Sequence, residues 1–495
     1  MRGGPQMGEE LFGRDADLAQ LRALLQATRL VTVTGPAGIG KSALVDSALR
    51  AAAGEVLWVR LGGVAGDRLA AALSRVAGVA EQPGRSVVDG VAVALRDRAR
   101  VLVFDDADDV RGAAGPLIDH LLLECPDLRV IVTSREPIRA RHEVIMTLAP
   151  LDDVAAATVL ERAHPAATPD DLLGVARRLG GVPLALVVAG RALAAGGTVD
   201  VAGDAVGETL ATVLGAVLDR LSPADREAVA RLAALPAGSI EESYAPLVEA
   251  GLAVTDVVAP RTRYRLLPAV VDVARRTLTP AEHRAAALSR MAACEEWLAR
   301  LSGPRSPAEE RDALDEVDRE YPNIAVALTW AIEGGHAPED GARLAFLLSR
   351  FLMARARFDE GARWTAIAGR VASPVQGRLV HLGACFAQSA GRLAAATAGF
   401  EHGERWGRDH RDPGVLALSL LGQAQLAFFA SDPARARRLI DDAQHDVVAA
   451  ADDAVLLTAA GTAGMLGRIT GDLEVALAEY EDAVQAARRI PDYRS

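Results

Sequence analysis

Leu30-Val31-Thr32-Val33-Thr34 runs directly into Gly35-Pro36-Ala37-Gly38-Ile39-Gly40-Lys41-Ser42, and the residues from Ser42 to Ala53 continue with helix formers. The first run is β-branched or apolar throughout and reads as a strand. The pattern G-x-x-x-x-G-K-[ST] is a loop whose backbone N–H groups cradle phosphates while the lysine reaches the terminal ones. Strand, glycine loop and helix in that order are the context the motif needs. Lys41 is also the sole lysine of the 495 residues, since every other basic side chain among the 54 Lys+Arg is arginine. Such a chain keeps a lysine where a planar guanidinium would not fit and a compact ammonium does. A lone lysine falls on any given position about once in 500 tries. The stretch predicts an α/β domain that binds a nucleoside triphosphate. Gly35, Pro36, Ala37, Gly38, Ile39, Gly40, Lys41, Ser42 and Ala43 would line the phosphates.

Further short apolar runs follow at Val56–Val59, Val101–Phe104 and Val130–Thr133, separated by helical stretches. That alternation predicts a parallel sheet with crossover helices. Val101-Leu102-Val103-Phe104 ends in Asp105-Asp106. In phosphate-loop proteins the terminal acid of such a strand and the loop Ser/Thr hold Mg²⁺, so Asp105 and Ser42 are the candidate ligands. Asp106 is the candidate to orient or deprotonate the attacking water, against the plainer reading that it caps the next segment. Val130-Ile131-Val132-Thr133-Ser134-Arg135 ends in an arginine. A guanidinium beside a phosphate site can pair the terminal phosphate bidentately and so report which nucleotide is bound.

The chain is half apolar with 4% aromatic residues and a net charge of −12. This excludes a disordered chain and argues against a broad nucleic-acid-binding face, which needs clustered cations. Cys125, Cys294 and Cys385 are odd in number and widely spaced, so reduced thiols are expected. The start lacks the apolar core of a signal peptide, and the most apolar stretch, Val182–Ala195, contains Arg191 and is too short to span a bilayer. A cytoplasmic protein without membrane partners is the expectation.

From Leu151 onward Ala/Leu/Arg helices replace strands, with a break at Gly180-Gly181-Val182-Pro183. Thr209–Leu278 reads as helices plus a short hairpin around Tyr264-Arg265-Leu266-Leu267, a winged-helix pattern. Arg261, Arg263 and Arg265 alternate along one strand face, where a solvated wing or an intramolecular contact is favoured over DNA binding. In the last third, Gly391, Ser431 and Gly471 stand 40 residues apart, as do Ala396, Ala436 and Ala476, and Phe400, Ile440 and Tyr480. This period predicts stacked helical hairpins.

These motifs together resemble the signal-transduction ATPases with numerous domains (STAND), the NB-ARC-like group, and most closely the ATPase modules of actinobacterial SARP- and LuxR-type transcriptional regulators. Leu11-Phe12-Gly13-Arg14-Asp15 is similar to that family's opening motif, whose backbone lies against adenine; this implies base contacts at Phe12, Gly13 and Arg14. Asp105-Asp106 and Thr133-Ser134-Arg135-Glu136-Pro137 match its metal-binding and sensor motifs. Gly181-Val182-Pro183-Leu184 resembles its GLPL motif, implying that Pro183 packs on the base. Tyr321-Pro322-Asn323-Ile324 and Asp359-Glu360-Gly361-Ala362-Arg363-Trp364 resemble the helical region before its tetratricopeptide-type repeats. Where related switches carry Met-His-Asp this chain reads Leu266-Leu267-Pro268, so the histidine that reports on the diphosphate is absent. Ser239–Val254 also reads short by one helix for a winged-helix unit.

The resulting expectation is a multidomain chain: a nucleotide-binding domain at 1–150, a helical lid at 151–203, a winged-helix-like domain at 204–285, a helical linker at 286–375 and repeats at 376–495. Its implied function is an ATP/ADP switch with Mg²⁺, slow hydrolysis, a protein or small-molecule signal at the repeats, and nucleotide-dependent self-association. Lys41, Asp106 and Arg135 are the candidate catalytic residues. No DNA-binding module is legible before Leu11 or after Ile490. The rival expectation is a constitutively active housekeeping or defence ATPase.

Overall fold

The run Leu30–Thr34 is buried at every position, which requires helices on both of its faces. The computed structural model describes residues 11–50, 55–82, 84–96, 100–165, 168–196, 206–240, 244–258, 261–299 and 306–489. Two packed units result, Met1–Val79 with Val87–Arg290 and Ala80–Ser86 with Met291–Ser495.

The first unit opens with α1 (Asp15–Ala27), β1 (Leu30–Thr34), α2 (Lys41–Leu49), β2 (Glu55–Arg60), α3 (Leu69–Ala77), α4 (Val87–Arg96), β3 (Arg100–Asp105), α5 (Arg111–Glu124), β4 (Arg129–Ser134) and β5 (Val144–Thr147). All five strands are parallel, in the order β2-β3-β4-β1-β5. Strand alternation sorts the core into two layers. Val31, Val33, Trp58, Val103 and Ile131 meet α1 and α2, while Leu57, Val59, Leu102, Phe104, Val130 and Val132 meet α3, α4 and α5. The sheet order brings the carboxyl ends of β1, β3 and β4 side by side, where ligands bind in open α/β sheets. Four strands were legible as apolar runs. The fifth, β5, is four residues long and lies at the edge, with Ile145 48% exposed, so it lacks the continuous apolar signal of a buried strand.

α6 (Asp153–Ala163), α7 (Pro169–Arg178) and α8 (Pro183–Ala194) follow. The side chains of Asp152 and Thr168 cap α6 and α7, and proline occupies the first turn of α7 and α8. Gly181 has φ +66°, and a Cβ there would lie 2.2 Å from the Leu151 carbonyl oxygen. Only glycine admits that approach. Next come α9 (Val206–Leu218), α10 (Pro223–Ala233), α11 (Ala245–Glu249), the antiparallel hairpin β6 (Ala253–Val258) and β7 (Arg261–Leu266), and α12 (Pro268–Thr277). The segment expected to be one helix short does carry a short helix, α11; its neighbours 241–243 lie outside the described residues. One apolar core runs through α6–α12 and into the helix that follows, from Leu151 to Ala286. Arg263 is turned inward, donating to the Ala237 and Gly238 carbonyls, so this wing arginine is committed within the molecule. The Arg261 side chain lies outside the described residues.

In chain order α13 (Pro280–Ala299), α14 (Pro307–Leu328), α15 (Pro338–Ala354), α16 (Phe358–Ala368), α17 (Gln376–Ser389), α18 (Leu393–His410), α19 (Pro413–Phe429), α20 (Pro433–Ala450), α21 (Asp453–Thr470) and α22 (Leu473–Arg489) are the α-helices of the remaining described residues. The 40-residue period becomes the hairpins α17–α18, α19–α20 and α21–α22. Gly391, Ser431 and Gly471 turn them at φ +74°, +57° and +83°. Ala396, Ala436 and Ala476 are buried, and Phe400 packs where a Cβ on Gly422 would be 2.4 Å from its ring. Tyr480, at the equivalent place on α22, is 37% exposed. The two earlier motifs also meet: Tyr321 on α14 donates to Glu360 on α16 at 2.9 Å, and Trp364 donates to the Tyr321 hydroxyl. Cys125, Cys294 and Cys385 are free thiols. Among the described residues no helix is long and apolar enough to cross a membrane.

Candidate nucleotide site

Gly35, Gly38 and Gly40 adopt φ of +146°, +75° and +100°, values that L side chains resist. They turn β1 into α2, which begins at Lys41 with no side-chain cap on its first N–H groups. A helix N-terminus of this kind presents free donors and a positive dipole end to an anion. Lys41 Nζ donates to the Gly35 and Pro36 carbonyls at 2.8 and 3.0 Å, so the ammonium lies folded over the cradle. Burial pulls its pKa down, opposed by the carboxylates of Asp108, Asp106 and Asp105. Ile39 and Ala43 are buried beneath the loop. A Cβ on Gly38 would come 2.8 Å from Leu210 Cδ2 of α9 and 3.0 Å from Leu184 Cβ of α8, and the Leu184 N–H donates to the Gly38 carbonyl at 3.2 Å. The loop is therefore packed against two elements outside the sheet domain.

Asp105, at the end of β3, receives three side-chain donors. Ser42 Oγ and Thr133 Oγ1 both donate to its Oδ1, at 2.6 and 2.7 Å, and Trp58 Nε1 donates to Oδ2 at 3.2 Å. Thr133 Oγ1 in turn accepts the Asp106 N–H at 2.9 Å. A hydroxyl and a fixed carboxylate converging at the foot of a phosphate cradle are hard oxygen donors, the set that suits Mg²⁺ completed by phosphates and water. Among the described residues no cluster of three His, Cys, Asp or Glu side chains offers a separate metal site. Asp106 takes a left-handed φ of +60°, with Gly62 leaving room for its carboxylate. Burial, then the charges of Asp105 and Asp108, push its pKa up to about 7.

Arg135 follows β4. Its backbone N–H and the Ser134 hydroxyl both donate to Asp108 Oδ1, at 2.8 and 3.0 Å. Its guanidinium stands 3.6 Å from the other Asp108 oxygen and pairs with Asp272 of α12. A second pairing lies nearby. Arg60, in register with Asp105 on the adjacent strand, donates to Asp256 of β6 at 2.9 Å, and Arg265 of β7 approaches the same carboxylate at 3.2 Å. Burial lowers the Arg265 pKa to about 10, the neighbouring Arg60 adding to the effect.

The opening segment closes the other side. Gly13 has φ +66° and a Cβ there would meet Ala155 Cβ at 2.4 Å, while Phe12 lies 4.6 Å beneath the Arg162 guanidinium. Arg14 is buried, donating to the Ala149 and Ile39 carbonyls at 2.7 and 3.1 Å and pairing with Asp17 at 2.9 Å. Pro183 starts α8, one residue before the Leu184 contact with the loop. The structure thus gathers the loop, Asp105, Asp106 and Arg135 at the sheet's carboxyl edge. Phe12, Gly13, Arg14 and Pro183 sit where α6 and α8 meet that domain. Sequence reading did not single out Trp58, Asp108, Arg60, Asp256 or Asp272. Of these only Asp108 sits close to a motif; the others are long-range partners that carry no local signal.

The chain is similar to several known proteins. The AAA ATPase domain matches residues 10–90. A provisionally named HTH-type transcriptional regulator of Mycobacterium tuberculosis is 26% identical over 537 aligned positions, covering 95% of this chain and 55% of that protein. Its counterpart in Mycobacterium bovis matches to the same extent. The chain therefore spans about half the length of the curated relatives it matches. An uncharacterized Mycobacterium tuberculosis protein is 33% identical over 192 residues, 36% of this chain and 49% of that protein. Among solved structures, a STAND protein with a tetratricopeptide repeat sensor from Pyrococcus horikoshii has a TM-score of 0.54 at 14% identity, covering 97% of this chain and 77% of that one. The expected likeness to STAND ATPases is borne out at the level of the fold. In fold, a parallel five-stranded sheet with flanking helices precedes a long all-helical region.

Proposed function

We propose that this chain is an ATP/ADP-binding switch of the STAND type, with slow hydrolysis, acting in signal transduction and transcriptional control. The observation that carries the reading is the contact set of the phosphate loop. Gly38 packs on Leu184 and Leu210, and the candidate sensor Arg135 pairs with Asp272 of α12. A nucleotide bound in such a place would touch the sheet domain, the lid and the hairpin-bearing unit together. Each nucleotide state then favours the packing that contacts it best.

In this reading the loop amides from Gly35 to Ala43 and the Lys41 ammonium grip the phosphates, and Phe12, Gly13, Arg14 and Pro183 frame the base. Ser42 and Asp105 would hold Mg²⁺, which neutralises phosphate charge when bound. Arg135 would pair the terminal phosphate. Asp106, titrating near 7, can take a proton from water, although its short side chain makes an ordinary turnover rate unfavourable. The helical hairpins offer an extended surface for a ligand or protein partner. Between α19 and α22 a groove of about 320 Å³ is lined by Leu421, Ile440, Val447, Leu456, Glu479 and Asp482. Partner binding to the repeats would favour exchange of ADP for ATP and self-association. The mycobacterial relatives support transcription as the setting.

Calorimetry with ADP and ATP, with and without Mg²⁺, tests the nucleotide site. Sedimentation and protease sensitivity in the two nucleotide states test the switch. Identical profiles with ADP and MgATP would refute switching. Steady turnover by a monomer faster than about 1 s⁻¹, the low end of ordinary enzymes, would favour a constitutively active ATPase.

A further inference from the structure

We infer that Asp272, on α12, is a specificity-determining residue that sets the preference between diphosphate and triphosphate by holding Arg135 in the place of a terminal phosphate. The inference rests on the nucleotide-switch reading and adds how the diphosphate form is held.

Arg135 and Asp272 are 137 residues apart in sequence and directly paired. Arg135 is near enough to Lys41 for the two cations to influence each other electrostatically. Its guanidinium therefore faces two alternatives, a carboxylate carried by α12 or a phosphate carried by the nucleotide. A planar guanidinium binds either group in the same forked geometry. A diphosphate leaves it on Asp272. A triphosphate competes for it and places a second anion beside Asp272. Asp108 holds the strand end, its Oδ1 taking the Ser134 hydroxyl and the Arg135 N–H, and its Oδ2 stands 3.6 Å from the guanidinium, a longer contact that the guanidinium can keep in either alternative. The second pairing, Asp256 with Arg60 and Arg265, joins β2 of the sheet to the β6–β7 hairpin and does not involve the loop lysine. It ties the sheet to the hairpin within the first unit whichever nucleotide is bound.

The test is a double-mutant cycle on the full chain with D272N, R135Q and the pair, reading the ratio of MgATP to MgADP affinity by calorimetry. D272N keeps the side-chain shape at a half-exposed position, and unchanged thermal unfolding serves as the folding control. The expected result is a rise in that ratio of about two- to fivefold in D272N, the range an exposed ion pair commands, with ADP affinity unchanged. In R135Q the added D272N should change nothing. If D272N leaves the ratio where it was, or shifts it equally with and without Arg135, the inference is overturned. If the parent chain binds neither nucleotide, the switch reading itself fails, which is a different outcome from a bound nucleotide with an unmoved ratio.

Discussion

Thr133→Val is the change that most directly interrogates how the metal-facing carboxylate is built. The Thr133 hydroxyl is buried, donates to Asp105 Oδ1 at 2.7 Å and accepts the Asp106 N–H at 2.9 Å. Valine fills the same space and can do neither. Losing a hydrogen bond to a charged group costs about 1.5–3 kcal/mol, and a buried N–H left without a partner costs about 1–3 kcal/mol. The variant should therefore unfold about 2–5 kcal/mol more easily, taking the two terms as partly overlapping. Asp105 keeps Trp58 on one oxygen and Ser42 on the other, but the Ser42 hydroxyl is the group a metal would recruit. Without Thr133 only the indole would then fix the carboxylate, and loss of a supporting bond of this kind weakens metal affinity by about 10–100-fold. Urea unfolding gives the first quantity. Calorimetric titration of ADP at stepped Mg²⁺ concentrations, at a temperature where the variant remains folded, gives the second. The metal-free affinity should stay within about twofold, since the loop amides and Lys41 are untouched. An unchanged Mg²⁺ dependence alongside the loss of stability would show that Thr133 is only a packing and capping residue, and the proposed role of the Asp105 network would be wrong.

An amine-directed reagent should modify one side chain, Lys41, besides the chain's α-amino group, and MgATP should shield it; equal labelling with and without nucleotide would count against the loop assignment. Gly181→Ala places a methyl group 2.2 Å from the Leu151 carbonyl at φ +66°. The left-handed backbone alone costs about 1–2 kcal/mol, so a urea midpoint as high as the parent's would contradict the packing of α8 on the Leu151 segment. Glu282 accepts from Arg226 and from the Thr279 N–H and hydroxyl, which holds its pKa down at about 2 against 4.5. A depressed carboxylate adds stability that is full above its unfolded pKa and fades as pH falls through the folded one. Glu282→Gln should therefore destabilise at pH 7 and match the parent near pH 2, and a difference that persists unchanged at acid pH would remove the ion pair as its cause.

Legibility in the sequence followed how local each signal was. The cradle could be read because strand, loop and helix are contiguous and the lysine has no rival in the chain. Asp105 could be read because a buried strand ending in an acid is itself a local pattern. The hairpins of the last third could be read because Ala396, Ala436 and Ala476 recur with a fixed offset from Phe400, Ile440 and Tyr480. Trp58 could not, because a tryptophan in an apolar strand reads as core, and only the sheet order places its indole N–H on Asp105. Asp256 and Asp272 could not either, since any of the 66 acidic residues could have paired an arginine across the fold. Within the opening motif, the side-chain partners of Arg14 carried no local signal either. The resemblance implied that the backbone of this motif lies against the base; the Arg14 guanidinium donates instead to the Ala149 and Ile39 carbonyls, distant partners that the motif does not specify.

The strength of these contacts bounds what a nucleotide can do alone. Moving a two-state equilibrium from 1:99 to 99:1 takes about 5.5 kcal/mol of differential binding. A single charge-assisted bond from Arg135 to a terminal phosphate contributes about 1.5–3 kcal/mol, and it first displaces Asp272, an exposed pair worth at most about 1 kcal/mol. The Asp256 pairing with Arg60 and Arg265 is more buried, and a triphosphate at the loop gives it no competitor. Nor does the contact of Gly38 with Leu184 and Leu210 distinguish the two nucleotides, because both occupy the loop with the phosphates they share. Exchange of ADP for ATP therefore biases this arrangement without overturning it. The remaining energy must come from a second event that weakens the Asp256 pairing or the Leu184–Leu210 contact. Asp256→Asn supplies that event artificially, so its ATP-dependent change in protease sensitivity should exceed the parent's, and a response no larger than the parent's would mean that Asp256 does not restrain the unit.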